Sequence, residues 1–288
     1  MLTRPAVAGL PDRLDVDRCL VMGVVNVTPD SFSDGGEFLK VDAAVTHGTA
    51  LGAAGADIVD VGGESTRPGA QRVSVAEEIA RVRPVVEQLV AEHVLVSIDT
   101  MRAAVAEVAV AAGAVLVNDV SGGLADPEML PFLASSKVPC VLMHWRGHST
   151  QMMGLTDYPQ GVVVDVCEEL GARLDTAVAA GIDVDRIVLD PGIGFAKEPA
   201  DNWPLLARLD AVLKLGRPVL VGASRKRFLG ELLAAEGEPR PASERDLATA
   251  AVSALVAATG AWCVRVHDIG PSRDAVLVAA AYRRAGAS

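Results

Sequence analysis

The chain has 288 residues, half of them hydrophobic but only 3% aromatic, so a sizeable core is available and must be built from Ala, Val and Leu. With 26 basic against 37 acidic residues the net charge is −11, which argues against nonspecific attraction to nucleic acid or an anionic membrane and for small-molecule ligands. Cys19, Cys140, Cys167 and Cys263 have no C-x-x-C spacing and are read as reduced thiols.

In chain order, residues 1–18 form an N-terminal segment ahead of a domain spanning 19–288, and are expected as a short plug or hairpin beneath it. They show no basic region followed by an apolar block, so no secretory signal is expected and the protein is placed in the cytoplasm. Short β-branched runs bounded by Gly, Asp or Pro then predict eight strands, at 20–25, 57–61, 94–98, 115–118, 138–143, 186–189, 218–221 and 262–266. Segments rich in Ala, Leu and Glu separate them. Gly55, Gly113, Gly181 and Gly260 stand where a helix ends before the next strand. Ser74 and Ser243, each followed three residues later by an acid (Glu77, Asp246), predict capped helix starts. Residues 247–264 are uncharged, but Gly260, Thr249, Ser253 and Thr259 dilute them, so a buried helix and a strand are predicted rather than a membrane span. Strands that are apolar on both faces and joined by helices pair in parallel. Eight such units predict an α/β fold, a single (β/α)8 TIM barrel, ahead of an open doubly wound sheet.

In such a barrel the strands' C-terminal ends open onto one face, so the residues behind each run converge. These are Asn26, the Gly62-Gly63-Glu64 turn, Asp99, Asn118-Asp119, His144, Asp190, Ser224-Arg225-Lys226, and Arg265 with His267. Arg225, Lys226, Arg227, Arg265 and His267 gather behind strands seven and eight, the sector where barrels commonly hold phosphate. Asp99, Asn118 and Asp190 offer acceptors and one amide to a flat heterocycle with adjacent N–H donors. Taken singly, Asp99 reads as a helix cap, Asn118-Asp119 as turn formers and Arg225-Lys226-Arg227 as a solvated run. Their joint position at the strand ends reads as a site. Gly192 and Gly194 lack the third glycine of a dinucleotide fingerprint, and His144 and His148 flank a glycine with no adjacent glutamate, so neither a nucleotide nor a zinc motif is met.

Five segments carry a family resemblance: Asn26-Val27-Thr28-Pro29-Asp30-Ser31-Phe32-Ser33-Asp34-Gly35-Gly36, Gly62-Gly63-Glu64-Ser65-Thr66-Arg67-Pro68-Gly69, Asp190-Pro191-Gly192-Ile193-Gly194-Phe195, Ser224-Arg225-Lys226 and Arg265-Val266-His267. Together they resemble dihydropteroate synthase, the folate-pathway family inhibited by sulfonamides, over nearly the whole chain. The resemblance implies the same barrel and a transferase that joins 6-hydroxymethyl-7,8-dihydropterin pyrophosphate to p-aminobenzoate, giving 7,8-dihydropteroate and pyrophosphate with Mg²⁺ assisting. It implies a pterin pocket of Asp99, Asn118, Met143, Asp190, Phe195 and Lys226, and a pyrophosphate site of Asn26, Arg265 and His267, with Asn26 also on the Mg²⁺. It implies p-aminobenzoate among Phe32, Thr66, Arg67 and Pro68, with Arg227 standing where many members have Ser near the carboxylate. Asp34, Lys226 and Arg265 would be the catalytic set, the path SN1-like, and the protein a homodimer through late outer helices. Two rivals are carried: a catalytically silent pterin-binding paralogue, and a barrel aldolase forming a Schiff base on Lys226.

Overall fold

The computed structural model describes residues 6–28, 37–65, 72–148 and 152–286. Eight strands follow the eight predicted runs: β1 Leu20–Asn26, β2 Ile58–Gly62, β3 Val96–Asp99, β4 Leu116–Asp119, β5 Cys140–Met143, β6 Ile187–Asp190, β7 Leu220–Val221 and β8 Cys263–Val266. Neighbours pair in parallel in the order β6-β5-β4-β3-β2-β1-β8-β7, and a parallel bridge from Leu189 to Val219 joins the two end strands. The sheet therefore closes into the predicted (β/α)8 barrel, not an open doubly wound sheet. Five strands run one residue beyond the apolar sequence run, taking in Asn26, Gly62, Asp99, Asp119 and Asp190, because ladder pairing uses the backbone whatever the side chain. Register makes Asn26 the lateral neighbour of Gly62, Gly62 of Asp99 and Asp99 of Asn118.

The outer layer holds α1 Glu37–Ala53, α2 Val75–Ala91, α3 Ala103–Ala111, α4 Met129–Ser136, α5 Val162–Ala179, α6 Asn202–Ala207, α7 Leu209–Leu213, α8 Arg227–Leu232, α9 Asp246–Thr259 and α10 Ile269–Gly286. Gly55, Gly113, Gly181 and Gly260 have φ of +98°, +107°, +97° and +119°, the left-handed geometry that ends a helix at low steric cost only in glycine. The Ser74 hydroxyl accepts the Glu77 amide and caps α2 as expected. Ser243 does not cap α9: it lies in a 3-10 turn over Ala242–Glu244, and the helix starts at Asp246, whose carboxylate faces Arg225. The uncharged stretch divides into α9 and β8 as predicted. Among the described residues no helix is long and apolar enough to cross a membrane.

Period-two alternation divides the core. Outward residues such as Val21, Val59, Ile98, Val117, Leu142 and Leu189 pack against the helices. Inward residues Leu20, Met22, Ile58, Leu116, Val141, Val188, Leu220 and Cys263 fill the lower barrel, where Leu14, Leu10 and Val7 of the N-terminal segment cover them. Arg18 fixes that plug with two 2.7 Å bonds to Asp57, whose carboxylate also accepts the Val21 amide. The floor is apolar and closed. Polar inward residues are thereby confined to the upper end.

Candidate active site

One inward position further along the strands, the residues become Asp60, Asp99, Asn118, Met143, Asp190 and Arg265. Arg265 on β8 reaches across the barrel, donating from Nε to Asp60 at 2.6 Å and from Nη2 to Asp99 at 2.7 Å. Asn118 donates from its amide to the same Asp60 oxygen at 2.9 Å. Three strands, with residues separated by up to 205 positions, are thus tied by one guanidinium. Burial pushes the Asp99 carboxyl up, against the pull of Arg265, and the nearby Asp60, Glu78 and Asp119 push it the same way. Asp99 is accordingly no helix cap: the first amide of α3 is taken by Asp126.

Asp60 is the residue that motif reading missed. It is fully buried within β2, between Val59 and Val61, and looks at first like one letter of an apolar run. The available signal was period: Ile58, Asp60 and Gly62 share the inward face, so a carboxylate there had to meet a cation inside the barrel.

Across the mouth, Asp190 ends β6 and accepts the Gly192 amide at 2.7 Å. Burial raises its carboxyl, with Lys226 the strongest opposing influence. Lys226 donates to the Ile193 carbonyl and lies over the Phe195 ring, 4.3 Å from its centroid. The surrounding protein strips water from this ammonium and lowers its pKa to about 8, with Asp190 opposing and Arg265 adding to the fall. Gly194, at φ +75°, gives the lysine stem its path, since a Cβ there would stand 2.7 Å from Lys226 Cδ. Met143 ends β5, buried, and is the ladder partner of Asp190.

At the β7–β8 edge the Ser224 hydroxyl accepts the His267 amide at 3.1 Å and meets His267 Nδ1 at 2.9 Å, which fixes the imidazole. Asn26 is partly exposed at the end of β1. The expected basic cluster is less concentrated than its spacing implies. Arg225 turns away to a two-pronged pair with Asp246 at 2.7 Å, and Arg227 sits on the outer surface, its side chain 73% exposed and paired with Glu231. Asp119 is a turn former, accepting Ser121 and Gly123 amides, and His144 points behind the barrel to Glu169. Phe32, Asp34, Thr66, Arg67 and Pro68 lie outside the described residues. Beside the mouth, a small cleft is lined by Met101, Val120, Trp145, Met152 and Phe195, with Arg72 and His148 among its polar residues. Among the described residues, no three carboxylate, His or Cys side chains cluster closely enough to hold a metal ion by themselves.

Comparison with known proteins agrees with this geometry. Residues 22–267 match the model of the family described as pterin binding enzyme. The chain is 54% identical over 267 residues to the dihydropteroate synthase of Mycobacterium leprae, covering 92% of this chain and 94% of that one. Solved structures of Xanthomonas albilineans dihydropteroate synthase superpose with TM-scores of 0.87, with 4-aminobenzoic acid, and 0.83, in complex with 7,8-dihydropteroate. They are 44% and 43% identical to this chain and each covers 99% of it and is itself covered over 100% of its length.

Proposed function

The chain belongs to the dihydropteroate synthase family, and we propose that it condenses 6-hydroxymethyl-7,8-dihydropterin pyrophosphate with p-aminobenzoate, releasing pyrophosphate. The observation that carries this reading is the convergence of Asp99, Asn118, Asp190, Lys226 and Arg265 at one barrel mouth, in a chain that matches the family from residue 22 to 267.

In this reading the pterin lies flat in the mouth. Asp190 takes the ring's 2-amino group and N3–H, a paired acceptance for which a carboxylate is suited. Lys226 meets the O4/N5 edge, while Asn118 and Asp99 border the other side and Phe195 and Met143 supply apolar contact. Arg265 and His267, with Asn26, receive the pyrophosphate. Two guanidinium nitrogens of Arg265 are already engaged by Asp60 and Asp99, so those carboxylates aim the cation and its remaining nitrogen meets the leaving group.

Breaking the bond between the exocyclic methylene carbon and the pyrophosphate oxygen sends the electron pair out with pyrophosphate and leaves positive charge delocalised over the dihydropterin. The arylamine nitrogen then bonds to that methylene carbon and loses a proton to solvent or to the released pyrophosphate, an SN1-like sequence. The amine is neutral at pH 7, so proximity and stabilisation of the leaving anion supply most of the acceleration. Asn26 offers a neutral amide oxygen in the style of an Mg²⁺ site that takes one or two protein ligands and completes its shell with phosphate oxygens and water. Bound there, Mg²⁺ would neutralise charge on the departing pyrophosphate. The segments 28–36 and 65–69, bearing Phe32, Asp34, Thr66, Arg67 and Pro68, are assigned to p-aminobenzoate and to excluding water from the cation.

A second copy of the chain is proposed on the face of α9 and α10. Leu247, Leu255, Val278 and Tyr282 are 79%, 68%, 66% and 75% exposed, and their spacings of eight and four put each pair on one helix face. Leu255→Glu should convert a dimer to a monomer in sedimentation velocity; a dimer that persists rejects this face. The free cysteines suit a reducing compartment, and the reaction is assigned to the cytoplasm.

The test is pyrophosphate release that requires both substrates, with dihydropteroate identified by mass. Binding of the pterin substrate without release would instead identify a silent pterin-binding relative. Trapping of a carbonyl compound on Lys226 by borohydride would identify an aldolase.

A further inference from the structure

Behind the turn that follows β6 lies a second buried set of titratable groups, which the reaction scheme leaves unused. Lys197 is 4% exposed, and its Nζ sits 3.0 Å from the Gly192 carbonyl, 3.1 Å from the Phe195 carbonyl and 3.1 Å from His144 Nδ1. Burial lowers Lys197 to about 7, with Lys226 adding to the fall and Asp190 opposing it; the ammonium form has three protons, and here it meets three acceptors. His144 Nε2 faces Glu169 on α5 at 3.0 Å, so the neutral ring carries its proton on Nε2 and accepts on Nδ1. Burial lowers His144 to about 4, outweighing Glu169, and keeps it an acceptor at neutral pH.

The chain of contacts returns to its origin. Glu169 is gripped by Arg146, whose guanidinium lies 3.9 Å from the centroid of the Tyr158 ring, and the Tyr158 hydroxyl donates to the Ala196 carbonyl at 2.8 Å. Burial opposes ionisation of Glu169, but the bonds from His144 and Arg146 prevail and hold it at about 2.

The turn needs such support. Gly192, Gly194 and Ala196 have φ of +65°, +75° and +48°, and a left-handed alanine costs roughly 1–2 kcal/mol. Gly192 passes so close to β5 that a Cβ on it would stand 2.4 Å from the His144 carbonyl oxygen. Asn202 accepts the Gly194 amide at 2.6 Å, leaving the carbonyls to Lys197, Tyr158 and Lys226. The same turn presents Asp190 at its start, the Ile193 carbonyl to Lys226, and Phe195 beneath it.

We propose that Lys197, seated on neutral His144 and backed by Glu169, is a positioning residue that holds turn 191–196 in the shape presenting Asp190 and Phe195 to the heterocycle and Ile193 to Lys226. The ligand in this proposal rests on the pterin reading above, but the geometry does not.

Lys197→Met keeps the stem and removes the nitrogen that meets His144, Gly192 and Phe195. It should raise KM for the pterin pyrophosphate about tenfold, ~1.4 kcal/mol, while KM for p-aminobenzoate at saturating pterin moves less than about twofold. Lys197→Arg should not restore it, because a planar fork does not fit three acceptors around a point. Glu169→Gln, at a partly exposed position, should show the same split between substrates at about two- to threefold, on the scale of one weakened hydrogen bond. A folded Lys197→Met protein with unchanged pterin KM, or with equal losses for both substrates, overturns the proposal. Should that variant fail to fold, a Glu169→Gln protein whose KM values for the two substrates are both unchanged, or rise equally, overturns it. If the unaltered protein forms no product, the synthase reading fails by itself, and amide hydrogen exchange still decides here: Lys197→Met should speed exchange at Gly192 and Gly194 relative to the strands. Unchanged exchange there ends the positioning role.

Discussion

On the β2–β4 and β8 side of the mouth each buried charge is met by another side chain: Arg265 holds Asp60 and Asp99, and Asn118 holds Asp60. On the β6–β7 side, Asp190 is satisfied by the Gly192 amide and Lys226 by the Ile193 carbonyl, with the backbone turn between them. The first arrangement locks geometry into stability, because a charge deprived of its partner cannot reach water. The second leaves a carboxylate and an ammonium that feel each other's charge while their hydrogen bonds run to the backbone, an arrangement suited to taking up a ligand. Damage to the two halves should therefore differ in kind: folding for one, ligand affinity for the other.

The largest effect expected is on the locked half. Arg265→Met strands two carboxylates in the barrel and should cost about 3–5 kcal/mol of stability, read as a lower urea midpoint, together with loss of turnover. A midpoint equal to the unaltered protein's would mean that Asp60 and Asp99 find other partners, and the contrast between the halves would collapse.

Next comes the binding half. Lys226→Ala should weaken the pterin substrate by about 100-fold, roughly 2.7 kcal/mol, with the urea midpoint shifted by less than about 1 kcal/mol in free energy. Undiminished turnover in this variant would remove Lys226 from the mechanism altogether.

Titration separates the halves without mutation. Lys226 is lowered from the usual 10.5 to about 8, chiefly by burial. Between those values the unfolded chain binds the proton that the folded one lacks, so this group's contribution to stability rises with pH across the window. Pterin affinity should run the other way, falling as pH climbs through 8 and the ammonium at the ring edge is lost. Calorimetric affinities that stay flat from pH 7 to about 9.5, where most of this titration lies, would show that the pterin does not use the charge.

How far these halves were legible in sequence follows the range of the interactions that build them. The eight strands and the four glycine caps are local matters of apolar runs and left-handed geometry, and they stand where the sequence reading put them. The convergence of Asp99, Asn118, Asp190, Lys226 and Arg265 followed from topology, since parallel closure sends every strand end to one face. Partners did not follow. Arg265 meeting Asp60 depends on barrel register across 205 positions, and Asp60 was hidden by its apolar neighbours. Ser243 had the letters of a cap but not the turn, because the helix begins later, at Asp246, where the carboxylate pairs with Arg225. Lys197 had no motif meaning until folding carried His144 to it from 53 positions away.

The smallest expected effect is at Arg227, and it tests which half the second substrate leans on. Its position directly after Lys226 suggested a contact with the carboxylate of p-aminobenzoate. Instead α8 begins at this residue, so its side chain leaves the barrel mouth and pairs along the helix with Glu231, four residues on. Such pairs contribute about 0.3–0.5 kcal/mol. Arg227→Ala should therefore leave stability nearly unchanged and move KM for p-aminobenzoate by no more than about twofold, with the pterin KM unaffected. A rise of about tenfold, confined to p-aminobenzoate, would equal ~1.4 kcal/mol, more than the surface pair holds in place. The guanidinium would then have to leave Glu231 and swing inward when substrate binds, extending the binding half beyond the groups already gathered at the mouth.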